Sequence, residues 1–388
     1  MNRQSWMQLT AVQAGGAICL PIFLIGNLLA EQYGLYSALL GIVLGNLILL
    51  GLGLISGYAS ARDRKSTAEY AVEVFGSFGK RFFALAMVLT MMGWFAIQLN
   101  IMGQSLLQVS GFPVPQFVVN ILFGMLISIV ALLGTQSLNI LANLSMPVLI
   151  FTIGYAVFQA SHEPMSFQAE PPTFAGVSLV LAAAIGVVVD IPTFFREARS
   201  SKESMIATVL LFGGILPLLE CVGVYLNIHS QGGNLLEVLT TPGASMLWSV
   251  WVASFLALAG WTTNNANLYS ASVSLETTLP KVDAKLRVFC LGMFGTAISL
   301  FSIEENLAEI LNVIGVILSS MGAVLSLHYL SKQKISNGMN LMICCLGVIA
   351  AVIGLTGIPV LDGYLGAFIL GCIIKLGVKN ERSYNFGS

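Results

Sequence analysis

The sequence predicts an all-α polytopic membrane protein of twelve transmembrane helices, built as two five-helix repeats of inverted topology followed by two further helices. Three observations carry that expectation. Hydrophobic residues make up 56% of the chain and charged residues 9%, with a mean hydropathy of +0.87, whereas a soluble domain carries about a quarter charged residues. The few charges are sorted by the side of the membrane on which they fall. Glycine and proline also interrupt the apolar runs at matching places in two halves of the chain.

Apolar runs occupy residues 8–31, 35–60, 82–110, 115–135, 138–160, 173–194, 204–228, 245–275, 286–303, 306–330, 338–356 and 361–378, judged against the ~20 residues a spanning helix needs. Connections from odd to even runs contain Glu31, Glu163, Glu170, Glu237, Glu304, Glu305 and Asp362 and no lysine or arginine. All 17 lysines and arginines, from Arg3 through Arg196 to Lys332 and Arg382, fall on the other side. Positive charge stays in the cytoplasm, so both termini are expected there and the protein in the cytoplasmic, or inner, membrane. The first run is too long for the core of a cleavable signal and follows only Arg3, so no leader is expected. The longest breaks are Arg62 to Lys80, with an amphipathic piece around Ala68 to Phe75, and the external loops near His162 to Pro172 and His229 to Thr241.

The chain therefore reads as a single transmembrane domain, with repeat one over about 8–160, repeat two over about 173–330 and additional helices over about 338–378. Two runs carry signs of interruption. The first holds Gln13, Gly15, Gly16 and Pro21, and the sixth holds Gly186, Asp190 and Pro192. Glycine weakens a helix and proline removes a backbone donor, so unwinding costs least there and freed carbonyls can face a cavity. Matching interruptions in two halves point to an inverted-repeat transporter.

The eighth run reads Gly-Trp-Thr-Thr-Asn-Asn-Ala-Asn-Leu-Tyr-Ser from Gly260 to Ser270. Spanning lipid does not require such side chains, and each unpaired polar group in hydrocarbon costs free energy. The stretch is uncharged, so its natural guests are a weakly solvated cation and a neutral polar solute. The partners implied are the lipid bilayer and a small molecule, with no nucleic acid and no obligate protein partner. An enzyme would need a nucleophile or metal constellation, and the three histidines are scattered, so none is expected. A channel would show charge rings or a repeated filter sequence. The six cysteines sit in apolar runs and read as small core residues.

Trp261-Thr262-Thr263-Asn264, followed by Leu268-Tyr269, resembles the signature helix of the cytosine permease branch of the nucleobase–cation symporter family. Gly45-Asn46, Gly93-Trp94-Phe95, and Phe194 with Arg196, Arg199 and Lys202 are similar to the same branch, and the likeness runs over roughly residues 10 to 330. It implies a LeuT-like fold and secondary active import of a nucleobase or related heterocycle, cytosine-like, coupled to Na+ between the first and eighth helices. Ala259, Thr262, Thr263 and Ala266 share one helical face, so two hydroxyls lie beside the Ala259 carbonyl, and Gly16 and Cys19 offer two more carbonyls at the break. Five oxygens without a carboxylate suit a monovalent ion better than calcium. The family often has an asparagine at Ala259. The competing expectation is that the threonine hydroxyls bond back to the preceding helical turn.

For the substrate, Trp94 supplies a flat stacking surface and Gln98, one turn further, an amide; that spacing is similar to the hydantoin-transporting branch of the family. Asn264 is the first choice for reading a donor–acceptor edge, Asn265 the second and Asn267 the third. The resemblance also implies base contacts near Ala184 and Gly186. Cytosine permeases tend to carry an aromatic and a small hydroxyl residue there, and a glutamine at the position of Met91, so the exact base stays open. Asp190 and Glu220 are acids inside spans and hence functional candidates. Either as a proton carrier would make H+ the coupling ion, although a helix-capping role for Asp190 beside Pro192 is favoured. A cation-coupled amino-acid transporter on the same fold is the remaining alternative, its substrate carboxylate held at a helix start near Gly15 and Gly16.

Overall fold

The computed structural model describes residues 3–165, 171–230, 232–240, 245–301, 307–331 and 334–385. Glu170, Glu304, Glu305 and Lys332 of the charge pattern lie outside the described residues, and so does part of each of the loops near His162 to Pro172 and His229 to Thr241. The chain is helical, with one isolated bridge between Gln4 and Ala198. Among the described residues eight helices are long and apolar enough to cross a membrane, and Gln116–Ala131 and Asn337–Ile353 are shorter apolar helices. The molecule is an integral membrane protein.

The first helix, α1 (Trp6–Ala17), starts at Ser5, whose hydroxyl and Gln8 form a reciprocal capping box. It stops at Ile18, and α2 (Leu20–Asp63) begins at once with Pro21 in its first turn. The expected break in the first span is therefore present, at Ile18 and Cys19. At about 1.5 Å per residue, a helix of 44 residues would reach about twice the hydrocarbon thickness. Gly34 resolves this. Its φ of 73° and ψ of 169° turn the chain between the first two apolar runs, a conformation glycine adopts without steric cost.

The third helix, α3 (Thr67–Ser110), bends in the same way at Gly76, φ 67°, so the amphipathic piece around Ala68 to Phe75 is helical. Next come α4 (Gln116–Ala131), α5 (Thr135–Ala160) and α6 (Ala175–Phe195). The interruption expected in the sixth span does not occur. Helix α6 continues through Asp190 and Pro192, and hydroxyls of neighbouring helices bond carbonyls on this turn: Thr67 donates to the Val189 carbonyl at 3.0 Å and Ser60 to that of Pro192 at 3.3 Å, while the carbonyl that the proline itself leaves without a helical donor is that of Val188. Asp190 accordingly caps no helix.

The second irregularity lies one span later. Between α7 (Ser201–Leu210) and α8 (Leu216–His229), residues Leu211–Ile215 form a π-helical turn. Gly213 and Gly214 weaken the helix there, and Pro217 cannot donate to the carbonyl of Gly213. After the short α9 (Leu235–Leu239) come α10 (Met246–Glu276), α11 (Ala284–Ile298), α12 (Leu307–Leu330), α13 (Asn337–Ile353) and α14 (Pro359–Asn385).

Lipid tails are as apolar as leucine, so close helix contact depends on small residues. Gly26 of α2 and Gly223 of α8 face each other so closely that a Cβ on either would overlap the partner's backbone carbonyl, and Gly41 meets Gly176 in the same manner. These glycines press α2 against α6 and α8, while α10 lies along α3 and α1 touches α5, α7 and α10. The broken first span is thus held between α10 and the π-helical turn.

Candidate functional site

A cavity of about 100 Å³ opens where the α1–α2 break meets α3, α6 and α10. The first span contributes Gln13, Gly16, Ala17, Cys19 and Ile22. Helix α3 gives Met91 and Trp94, and Leu211 and Leu216 from either end of the π turn close one side. Helix α6 gives Ala183, Ala184, Gly186, Val187, Asp190 and Phe194, and α10 gives Thr263, Ala266, Asn267 and Ser270. Most of this wall is apolar, with a few convergent polar groups, as small-molecule sites usually are.

Backbone accounting explains the break. The Ala14 and Ala17 carbonyls take the N–H groups of Ile18 and Cys19 at 2.8 and 2.9 Å, and the Cys19 carbonyl takes that of Ile22 at 3.2 Å. Gly16 has a partner from another helix: the Thr263 hydroxyl lies 3.0 Å from its carbonyl and 3.1 Å from that of Ala259. One hydroxyl proton cannot serve both oxygens fully, so three oxygens converge around a single hydrogen. The Thr262 hydroxyl bonds back to Leu258 and Ala259 at 3.0 and 3.1 Å. Back-bonding thus describes Thr262, whereas Thr263 bridges two helices. The Cys19 side chain lies within hydrogen-bonding reach of Thr263. Gly16, Cys19, Ala259, Thr262 and Thr263 therefore form one contiguous group, with donors of the type a monovalent cation takes.

Of the expected substrate residues, Trp94 and Gly186 line the cavity, and Gln98, Asn264 and Asn265 are absent from its wall. Asn264 is fully buried between α10 and α3, donating to the Phe95 carbonyl at 3.2 Å and accepting from Asn267 at 3.3 Å. Asn265 is buried and partnered. Gln98 is buried with no hydrogen-bond partner for its amide among the described residues. The amide on the cavity wall is Asn267, the third choice from sequence. The periodicity contained the signal. From Thr263, Asn267 is offset by about 40° around the helix and Ser270 by about 20°, while Asn264 is offset by about 100°. Ser270 and Gln13 complete the polar lining that sequence reasoning left unassigned.

The two intramembrane acids differ. Asp190 is buried on the cavity wall, its Oδ2 accepting from the Ser270 hydroxyl at 2.5 Å, while Oδ1 has no partner among the described residues. Glu220 lies in the α2–α8 seam away from this cavity, where its Oε2 accepts from Asn46 at 2.6 Å. Met91, Ala184 and Gly186, where the chain departs from the cytosine permease pattern, all line the cavity.

A broken helix, a cluster of hydroxyl and carbonyl oxygens beside the break and an adjoining cavity among apolar membrane-length helices are features of a carrier. The chain belongs to the family of permeases for cytosine/purines, uracil, thiamine and allantoin, whose model matches residues 1–345; it is a transporter and not an enzyme. It is 22% identical to the cytosine permease of Escherichia coli (strain K12) over 340 residues, 86% of this chain and 79% of that protein. Its fold is similar to that of Mhp1, a nucleobase-cation-symport-1 family transporter. The inward-facing form gives a TM-score of 0.80 at 17% identity, covering 98% of this chain and 93% of Mhp1. A closed form with bromovinylhydantoin bound gives the same score, covering 95% and 91%. A Na+-coupled sialic acid symporter shares the fold at a TM-score of 0.75 and 15% identity, covering 96% and 90%.

Proposed function

We propose that the protein is a secondary active symporter that imports a nucleobase or related planar heterocycle together with Na+. The observation that carries this reading is the Thr263 bridge: one hydroxyl joins the broken first span to α10 beside the Trp94 cavity. An ion taking the Gly16, Thr263 and Ala259 oxygens, with Cys19 and Thr262 completing the group, fixes the break. It thereby shapes the wall formed by Gln13, Gly16 and Ala17. Trp94 stacks the ring, Asn267 and Gln13 read its edge, and the Gly186 backbone forms part of the wall against it. Asn264 and Gln98 support this wall from behind, and Asn265 has the same second-row role.

The membrane arrangement proposed is twelve crossings in a LeuT-like 5+5 inverted repeat with two added helices, both termini cytoplasmic, in the cytoplasmic membrane. The turn at Gly34 and the likeness to Mhp1 support it, although the matched breaks that first suggested repeats do not both occur. The amino-acid alternative would bring a carboxylate into a cavity that holds Asp190 and no basic lining residue. The proton-coupled alternative would use Asp190 or Glu220. Radiolabelled uptake with competitors, with and without Na+, tests all three: base competition and Na+ stimulation support this reading. Competition by an amino acid alone, or uptake driven by a pH gradient without Na+, would replace it.

A further inference from the structure

Resting on the heterocycle reading above, we propose that Asp190 reads the substrate, so that the carrier selects bases with an exocyclic amino group beside a ring nitrogen over bases whose edge carries a carbonyl there. Asp190 is 3% exposed and lies on the cavity wall. Its Oδ2 is occupied by Ser270, and Oδ1 lacks a partner among the described residues. The neighbouring Thr193 hydroxyl lies within reach of the Asp190 carboxylate but donates to Thr67, 3.3 Å away. Arg196, beyond the end of α6, faces Glu69 at 3.6 Å, and no described ion pair includes Asp190. Buried polar atoms are nearly always hydrogen-bonded, and an orphan acceptor on a cavity wall therefore points to a ligand donor.

The rest of the polar lining does not discriminate. Gln13 and Asn267 carry amides, and Ser270 a hydroxyl; each can donate or accept and so suits either kind of base edge. Asp190 is selective as the carboxylate. Ionised, it only accepts, which suits an amino group and opposes a carbonyl oxygen. Protonated, it would donate once and accept once and pair with an amino group beside a ring nitrogen or with a carbonyl beside a ring N–H alike, so the selectivity belongs to the ionised side chain. No lysine, arginine or histidine is among the lining residues, so no cationic donor offsets the carboxylate against a carbonyl at that position.

Uptake of labelled cytosine and of labelled adenine by the full chain is measured against unlabelled pairs that differ by one amino-to-carbonyl exchange: cytosine with uracil, and adenine with hypoxanthine. The wild-type protein is expected to take the amino member at a concentration at least about tenfold lower, the worth of a hydrogen bond to a charged acceptor. In Asp190→Asn, whose amide can face either edge, the difference is expected to shrink to about threefold or less. Equal or better competition by uracil and hypoxanthine in the wild type overturns the assignment whether or not the variant folds, as does an Asp190→Asn protein that keeps the full discrimination. If no base competes, the heterocycle reading itself fails and takes this assignment with it; if bases compete without the amino preference, only the role of Asp190 falls.

Discussion

Thr263→Val tests the proposed ion site most directly, because valine keeps the branched shape and removes only the hydroxyl. In the structure that oxygen lies 3.0 Å from the Gly16 carbonyl and 3.1 Å from the Ala259 carbonyl. Two losses follow. The Gly16 carbonyl loses its donor from α10, a tether worth about 0.5–1.5 kcal/mol. The ion loses one of five oxygens, and even residues that only orient metal ligands typically cost about 10–100-fold in affinity when removed. The Na+ concentration for half-maximal uptake should rise by at least about tenfold, or roughly 1.4 kcal/mol. Binding coupling is reciprocal, so the variant should bind substrate poorly at low Na+ and recover at saturating Na+. Thr263→Ser keeps the oxygen and should stay close to wild type. Na+ titration of uptake in proteoliposomes gives the answer; an unchanged half-maximal concentration in the valine variant, or a shift as large in the serine variant, would remove Thr263 from the site.

Trp94→Ala should weaken heterocycle binding by about 1–3 kcal/mol, the usual worth of a stacked base, with little change in melting temperature because Trp94 is only partly buried; saturation binding and a thermal melt on one preparation check both. Gly223→Ala places a Cβ against the Phe23 carbonyl, and overpacking of that kind costs about 1–3 kcal/mol, so its detergent melt should fall while Gly214→Ala, with open space around it, should not. Glu220→Gln preserves a partner for the Asn46 amide, now bonded at 2.6 Å, and should keep the fold. Glu220→Ala leaves a buried donor short of its acceptor and should lower stability by about 1–3 kcal/mol. A Glu220→Gln protein with wild-type uptake at every pH would show that this acid is structural.

Element positions were legible from sequence because hydrocarbon permits few alternatives, and Gly34 marks its turn where one apolar run gives way to the next. The break at Ile18 and Cys19 was legible for a related reason, since paired glycines followed by Pro21 make unwinding cheapest there. The same reasoning misplaced the second interruption. Pro192 suggested a break, but the Thr67 and Ser60 hydroxyls from α3 and α2 serve the α6 carbonyls around it. Those contacts come from distant parts of the chain and leave no local mark. The π turn before Pro217, by contrast, had its cue in Gly213-Gly214 and went unread. On α10 the residue types pointed to the right stretch but the choice among asparagines was wrong in order. Asn264 is the amide closest in sequence to Thr263, yet helical geometry turns it toward Phe95.

In the proposed symport the two ligands share a wall, through which a small ion would bias a large motion. Gly16 and Cys19 line the cavity, and the Gly16 carbonyl and the Cys19 side chain also meet Thr263. Any ligand that draws this segment toward α10 would therefore set the position of Gln13 and Ala17, the rest of that cavity wall. A guest in the cavity, pressing on the same segment, alters the geometry available to the ion. Neither ligand needs to touch the other for their binding to be linked, because both act on one short stretch between α1 and α2. That stretch is the natural hinge. It has already given up helical hydrogen bonds, so moving it costs less than bending an intact helix, while the Gly26–Gly223 crossing holds the following turns of α2 against α8 as a rigid support. An ion that orders the hinge by a few kcal/mol would shift a two-state equilibrium by two orders of magnitude or more, enough to couple uptake to the cation gradient.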